Sequence, residues 1–266
     1  MEQKQLKKLK TWFDDYVAGF YGNDDYVNAN LKLKEEHSRR VCEEMSYLTG
    51  ELGLTDNQGR IANAIALLHD VGRFEQFVKY RTYSDHRSVN HCLLGLEVLR
   101  REKVLEQVDR REKGLIEKAI EYHGRIELPS DSDGEELLFS RLIRDADKID
   151  IFYVVTEYYE QYRDNPKEFT LELEFPDEPT YSKEIIKKIL HGRLIDYGKL
   201  RTINDMKLCQ LGWVYDVNFT ATLKRIKNHR FLEKILDFLP KTEDINSVRE
   251  KILGYVDSRI EQDNKR

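Results

Sequence analysis

The segment Ile61 to Arg73, IANAIALLHDVGR, constrains this chain more than any other. Ile61, Ile65 and Leu68 recur at helical spacing and form one apolar stripe, and His69 falls on that stripe four residues after Ile65. Asp70 follows at once and Gly72 supplies a stop signal, which predicts a His-Asp pair in the last turn of a buried helix. Unpaired carbonyls and the negative end of the helix dipole favour a cation there. A metal fits such a place. So does a core histidine followed by a hydrogen-bonded aspartate that ends the helix. The choice depends on what the rest of the chain brings to the pair.

To either side the pattern is helical, and five prolines in 266 residues leave long helices uninterrupted. Residues 4 to 20 carry Leu6, Leu9, Phe13, Val17 and Phe20 on one face. From about Leu31 to Leu52, closed by Gly53, the stripe Leu33, His37, Val41, Met45, Leu48 and Leu52 puts His37 where an apolar side chain belongs. Residues 74 to 86, FEQFVKYRTYSDH, read as a loop or irregular turn. A helix from about Ser88 to Glu102 has His91, Leu94, Gly95 and Val98 on its second face. Glycine inside a helix costs roughly 1 kcal/mol relative to alanine, so something approaches the backbone at Gly95, a ligand or another helix.

From about Arg111, Ile116 and Ile120 lead to His123, and Gly124 stops that helix as Gly72 stops the first. PSDSDG is a surface loop. Glu135 to Tyr159 carries Phe139, Ile143, Asp147 and Ile151 at four-residue intervals, and a carboxylate in such a stripe requires a partner. In residues 163 to 181 the alternation of Phe169, Leu171, Leu173 and Phe175 fits a short edge strand or an extended flap. Helical signals resume at Ser182 and continue almost to the end. The organisation expected is all-α: an N-terminal segment, residues 1–30, packing on a core of residues 31–160, with a helical extension over residues 161–266.

A net charge of −5 argues against a surface that binds nucleic acid in bulk, while leaving one basic pocket possible. Cys42, Cys92 and Cys209 are odd in number and widely spaced, which indicates neither a disulfide framework nor a thiolate zinc site and points to a reducing cytoplasm. No targeting segment and no membrane-length apolar run is recognisable.

Five of the seven histidines fall between positions 37 and 123, and four helices place a histidine or aspartate on or beside an apolar stripe. His37, His69, Asp70 and Asp147 make a nitrogen-and-oxygen set suited to a first-row divalent ion. His91 and His123 offer a second ion two imidazoles if Asp70 bridges both. With no thiolate in the set, iron, manganese, cobalt, nickel, zinc and magnesium are all admissible, and the imidazoles weigh against magnesium.

The order His37, then His69-Asp70, then Asp147 resembles the signature of the HD superfamily of metal-dependent phosphohydrolases, and the additional His91 and His123 resemble its two-metal members. The likeness spans roughly residues 30 to 160, and LLHDVGRF followed by DHRSVNHCLLGLEVL is similar to bacterial HD-domain proteins. The resemblance implies a helical bundle around one or two metals and hydrolysis of a phosphate ester by a metal-bound hydroxide, with Asp70 as the catalytic ligand. The substrate expected is a nucleotide or another small phosphorylated metabolite. Arg73 stands where related two-metal members have a lysine and could grip a phosphate. His86 could touch substrate or protonate a leaving group, and Lys148 could neutralise a phosphate; each of these three equally fits a solvated surface role. The same ligands also resemble those of HD-type di-iron oxygenases, and a non-catalytic metal module that senses a ligand is a third reading. Oligomeric state is not legible in the sequence.

Overall fold

The structure, a computed structural model, describes residues 1–125, 127–129, 134–165 and 175–265. Among these residues there are twelve α-helices, three short 3-10 turns and no strand, so the all-α expectation is met. The chain divides into two compact units, Met1–Asp150 and Ile151–Arg266.

The first unit contains α1 (Gln3–Ala18), α2 (Asp25–Glu51), α3 (Asp56–Leu68), α4 (Gly72–Tyr80), α5 (His91–Arg101), α6 (Arg110–Tyr122) and the beginning of α7 (Gly134–Asp164). Side-chain caps set several of the starts. Asp24 accepts from the Val27 backbone N–H, Asn90 from that of Leu93, and Asp109 from those of Arg111 and Glu112. Thr55 and Gln58 form a reciprocal capping box at α3. The Asp24 cap explains why α2 begins at Asp25, six residues before the start expected near Leu31.

α3, the most apolar helix of this unit, is its centre and packs against α1, α2 and α6. Ile65, Leu68, Leu31, Met45, Leu48, Ile116 and Ile120 are all fully buried around it. A carboxylate or imidazole on these helices is therefore held among apolar neighbours, with rotamers fixed by packing.

One segment departs from expectation. Residues 74 to 86 are not a loop: α4 occupies Gly72–Tyr80, and a 3-10 turn covers Asp85–Arg87. Phe74 and Phe77, three residues apart, bury against the core and hold α4 in place. Gly72 thus opens a helix instead of stopping one. Its role is steric, because a Cβ there would fall onto the His91 carbonyl oxygen and lie 2.6 Å from the Gly95 backbone nitrogen. The close approach signalled by Gly95 is this crossing of α4 and α5. Gly72→Ala is expected to destabilise the fold by about 1–3 kcal/mol, the usual cost of overpacking, as measured by chemical denaturation. The change strikes backbone on both sides, so no side chain can yield to relieve it.

The second unit holds the remainder of α7 and α8 (Lys183–Leu190), α9 (Ile203–Gly212), α10 (Thr220–Asn228), α11 (Phe231–Asp237) and α12 (Glu243–Asn264). α12 packs on α8, α10 and α11 around Ile189, Leu223, Ile226, Ile235 and Ile252. The buried Asp205 carboxylate accepts from the Ser182 backbone N–H, the Ser182 hydroxyl and the Arg201 backbone N–H, at 2.7, 2.8 and 2.9 Å. It fastens the entry to α8 beneath α9. The strand or flap expected from residues 169 to 175 rests largely on residues 166–174, outside the described residues, and so does most of the PSDSDG loop. No helix among the described residues is long and apolar enough to cross a membrane.

Candidate metal centre

α3 and α6 end in the same way, and their ends build half of the site. His69 and His123 are the residues that follow the last helical turn, and each ring Nδ1 lies 2.7 Å from a carbonyl oxygen three residues back, that of Ala66 or Ile120. These are carbonyls that a helix C-terminus leaves without an amide partner. A carbonyl can only accept, so each Nδ1 carries the proton and each Nε2 is left as a lone pair. The other two histidines reach the same state through carboxylates. His37 Nδ1, on α2, donates to Asp150 Oδ2 at 2.6 Å, and His91 Nδ1, at the start of α5, donates to Asp85 Oδ2 at 2.7 Å.

The four Nε2 atoms then face one another in pairs, 3.3 Å apart for His37 and His69 and 3.0 Å apart for His91 and His123. Asp70, between α3 and α4, lies across both pairs. Its Oδ2 is 3.5 Å from His37 Nε2 and 3.7 Å from His69 Nε2, while its Oδ1 is 3.6 Å from His91 Nε2 and 3.8 Å from His123 Nε2. Asp147 Oδ1, from α7, lies 3.2 Å from His37 Nε2 and 3.9 Å from His69 Nε2. All six expected ligand residues therefore meet, in two groups that share Asp70. His37, His69 and Asp70 form one compact set of donor atoms. His91 and His123 belong to a second one, which contains Cys92 as well.

Two lone pairs at 3.0 to 3.3 Å repel unless a proton or a metal ion lies between them, and the titration of the groups reflects this. Burial and the Lys34 ammonium push His37 toward neutrality, but its bonds to Asp147 and Asp150 outweigh them and its pKa rises. Burial carries its partner His69 down to about 4. In the second pair, burial disfavours a charged His123, yet Cys92 and Asp70 beside it raise its pKa. Asp70 is buried, and Lys34, His69, His123 and Arg73 nevertheless hold its carboxyl well below the usual range. His37 and His69 do the same for Asp147. Each imidazole pair is thus an enclosure that attracts positive charge. His69 is fully enclosed, whereas Asp147 and Lys34 are each about one-fifth exposed, so solvent reaches the first pair from their side.

The expected substrate contacts are placed differently from one another. Arg73 is well packed: one terminal nitrogen donates to the Tyr83 carbonyl, Gln76 Oε1 and Asp85 Oδ1 at 2.5, 2.9 and 2.9 Å. Its buried Nε has no hydrogen-bond partner and stands 3.5 Å from Asp70 Oδ1. His86 is exposed on the 3-10 turn, and Lys148 is half-buried beside Asp147.

Four participants escaped the sequence reading. Lys34, one helical turn before His37, places Nζ 2.8 Å from Asp70 Oδ2. Asp150, one turn after Asp147, orients His37 and is itself held by Arg40 Nε at 2.5 Å. Asp85 orients His91 and binds Arg73. Cys92 places a sulfur beside a set expected to hold none, with its Sγ 3.4 Å from His91 Nε2. The i,i+3 spacings of Lys34 and Asp150 from the expected ligands His37 and Asp147 were the available signals. Asp150→Ala is expected to weaken metal affinity at the first pair about 10–100-fold, as loss of a ligand-orienting carboxylate does. Isothermal titration with cobalt(II) would measure it.

A family model described as "HD domain" matches residues 35–151. The chain contains an HD domain. All six expected ligand residues, with Asp85, Cys92 and Asp150, lie inside the match, and Lys34 stands one residue before it. The HD superfamily is one of metal-dependent phosphohydrolases, and the two His-containing groups of this HD domain suit divalent metals in general. No curated protein and no solved structure matches the chain.

Proposed function

We propose that this HD domain hydrolyses a phosphate ester of a small molecule, a nucleotide or another phosphorylated metabolite, using two divalent cations. The observation that carries the reading is the pairing of four imidazole lone pairs, each fixed by an Nδ1 hydrogen bond, across a carboxylate that offers one oxygen to each pair. His37, His69, Asp70 and Asp147 would hold one cation, and His91, His123 and Asp70 the other. Iron, manganese, cobalt, nickel or zinc suit these donors better than magnesium. Bound there, the cations bring the pKa of water down toward ~7 and neutralise phosphoryl oxygens.

The chain's own residues supply position and charge. Asp70 is the central ligand and is kept ionised by Lys34 and Arg73. Lys34, partly open to solvent over Asp70, is placed to meet an anionic substrate oxygen entering beside Asp147. Arg73 keeps positive charge on the opposite oxygen of Asp70, a role its packing favours over a free phosphate grip. His86 and Lys148 remain proposed substrate contacts.

The positive charge that Lys34 and Arg73 place beside Asp70 supports an anionic phosphate substrate over oxygen. The test is a screen of phosphomonoesters, nucleotides and cyclic dinucleotides against the five metals, with inorganic phosphate and dissolved oxygen both followed. Phosphate release that depends on added metal is expected. Oxygen uptake without phosphate release would overturn the proposal in favour of the di-iron oxygenase reading.

A further inference from the structure

The second imidazole pair carries more than two nitrogens. Cys92 follows His91 on α5, is almost fully buried, and turns its Sγ toward both rings. Sγ is 3.4 Å from His91 Nε2 and 3.9 Å from His123 Nε2, and those two nitrogens are 3.0 Å apart. A tetrahedral ion with metal–nitrogen bonds of about 2.0 Å and a metal–sulfur bond of about 2.3 Å spaces its ligands at roughly 3.3 to 3.6 Å. The observed triangle brackets those values. The bland explanation, a thiol hydrogen-bonded to one imidazole, gives no reason for the sulfur to approach both rings. A thiol has one proton, and both Nδ1 atoms are already engaged with oxygens.

Gly124 is the second observation. It follows His123, and its φ is not in the left-handed region, so no backbone conformation calls for glycine there. A Cβ on it would stand 2.7 Å from Cys92 Sγ and 3.4 Å from His91 Cε1. The missing side chain makes the space in which sulfur reaches the two rings.

We infer that Cys92 is a thiolate ligand of the second cation, joining His91, His123 and the shared Asp70 in a set of two nitrogens, one oxygen and one sulfur. The inference rests on the two-cation reading and sharpens it, because the two positions then differ in character. The first is a nitrogen-and-oxygen site, while the second favours zinc, cobalt, nickel or iron(II) over manganese and magnesium. Cys42 and Cys209 lie outside both donor groups.

Cobalt(II) reports the sulfur directly. The chain, stripped with chelator and titrated with cobalt(II), is expected to show a near-ultraviolet thiolate-to-cobalt charge-transfer band as the second equivalent binds. Cys92→Ser is expected to remove that band while the visible ligand-field bands remain, and Cys209→Ser to leave it intact. If Cys92→Ser does not fold, X-ray absorption of the zinc-loaded native chain decides, with a sulfur shell at about 2.3 Å expected. Two bound cobalt ions with no charge-transfer band overturn this inference alone. Failure of the native chain to take up any cobalt overturns the metal centre and this inference with it.

Discussion

Asp70→Ala is expected to remove metal-dependent phosphate release while leaving the helical fold in place. Asp70 is the one residue that offers an oxygen to each imidazole pair, so its loss strips a ligand from both cation positions at once. Without the cations the water nucleophile returns from a pKa near ~7 toward ~15.7, and turnover should fall at least about a thousandfold, the upper range for loss of one preorganised electrostatic contact. The structural cost is smaller. Lys34 is left without its carboxylate, but it is partly exposed and can turn to solvent, and Arg73 retains Asp85 and the Tyr83 carbonyl. Truncating one partner of a fully buried pair costs about 3–5 kcal/mol, and access to water at Lys34 reduces that figure. The checks are phosphate release, metal content and a denaturation curve measured on the same preparation. Turnover near the native level in Asp70→Ala would sink the catalytic reading. Simultaneous loss of fold and metal would instead mark the centre as a structural staple.

Much of this arrangement was legible in the sequence because buried histidines betray themselves. A helix stripe is read by its apolar members, and a polar residue in the stripe stands out; His37, His69 and His123 were visible in that way. The residues that orient them were not. Asp85 lies in polar surroundings along the chain and Asp150 stands between Ile149 and Ile151, and the folded geometry shows that each faces an imidazole. Cys92 was hidden for the opposite reason. A cysteine on a helix that also carries Leu93, Leu96 and Leu99 passes for a core residue, and the glycine that admits it is 32 positions away. Gly72 misled for a related reason. Glycine after an apolar helix commonly ends it, but the same lack of a side chain also permits two helices to cross. Local pattern cannot separate these uses, and the assignment of residues 74 to 86 to a loop followed from that choice. Phe74 and Phe77 carried the correcting signal, a pair at helical spacing too short to stand out by periodicity alone.

The second large effect is expected from removing the cations. Chelator should abolish activity, and returning cobalt or zinc should restore it and raise the melting temperature. A ligand at one hundred times its Kd stabilises by about 2.7 kcal/mol, which at about 2–4 °C per kcal/mol corresponds to roughly 5–11 °C. The pH dependence should differ in sign between the two states. In the metal-free chain the native pKa of His37 is raised above the ordinary 6.5, so its stabilising contribution is complete below that pH and is lost as pH rises through the raised value. His123 is raised too, but Cys92 opposes it. Burial works against the thiolate, yet His123 and the bonds from both rings bring the Cys92 thiol down from 9.0 to about 6. From about pH 6.5 to 9 the native pair keeps one proton on His123, and the unfolded chain keeps one on Cys92, so the pair adds almost no slope. His69, depressed to about 4, acts only on the acid side: below about 6.5 the unfolded chain takes a proton that the native ring refuses, and stability falls. Metal-free stability should therefore decline as pH rises above about 6.5 under His37, within the window in which the Cys92–His123 pair adds no slope. With cations present the slope reverses, because ligands must be unprotonated to bind and affinity rises with pH. Denaturation midpoints at three pH values in that window, with chelator and with cobalt, should diverge as pH increases. Parallel curves would mean that the imidazoles exchange no protons for metal, and the centre proposed here would not exist.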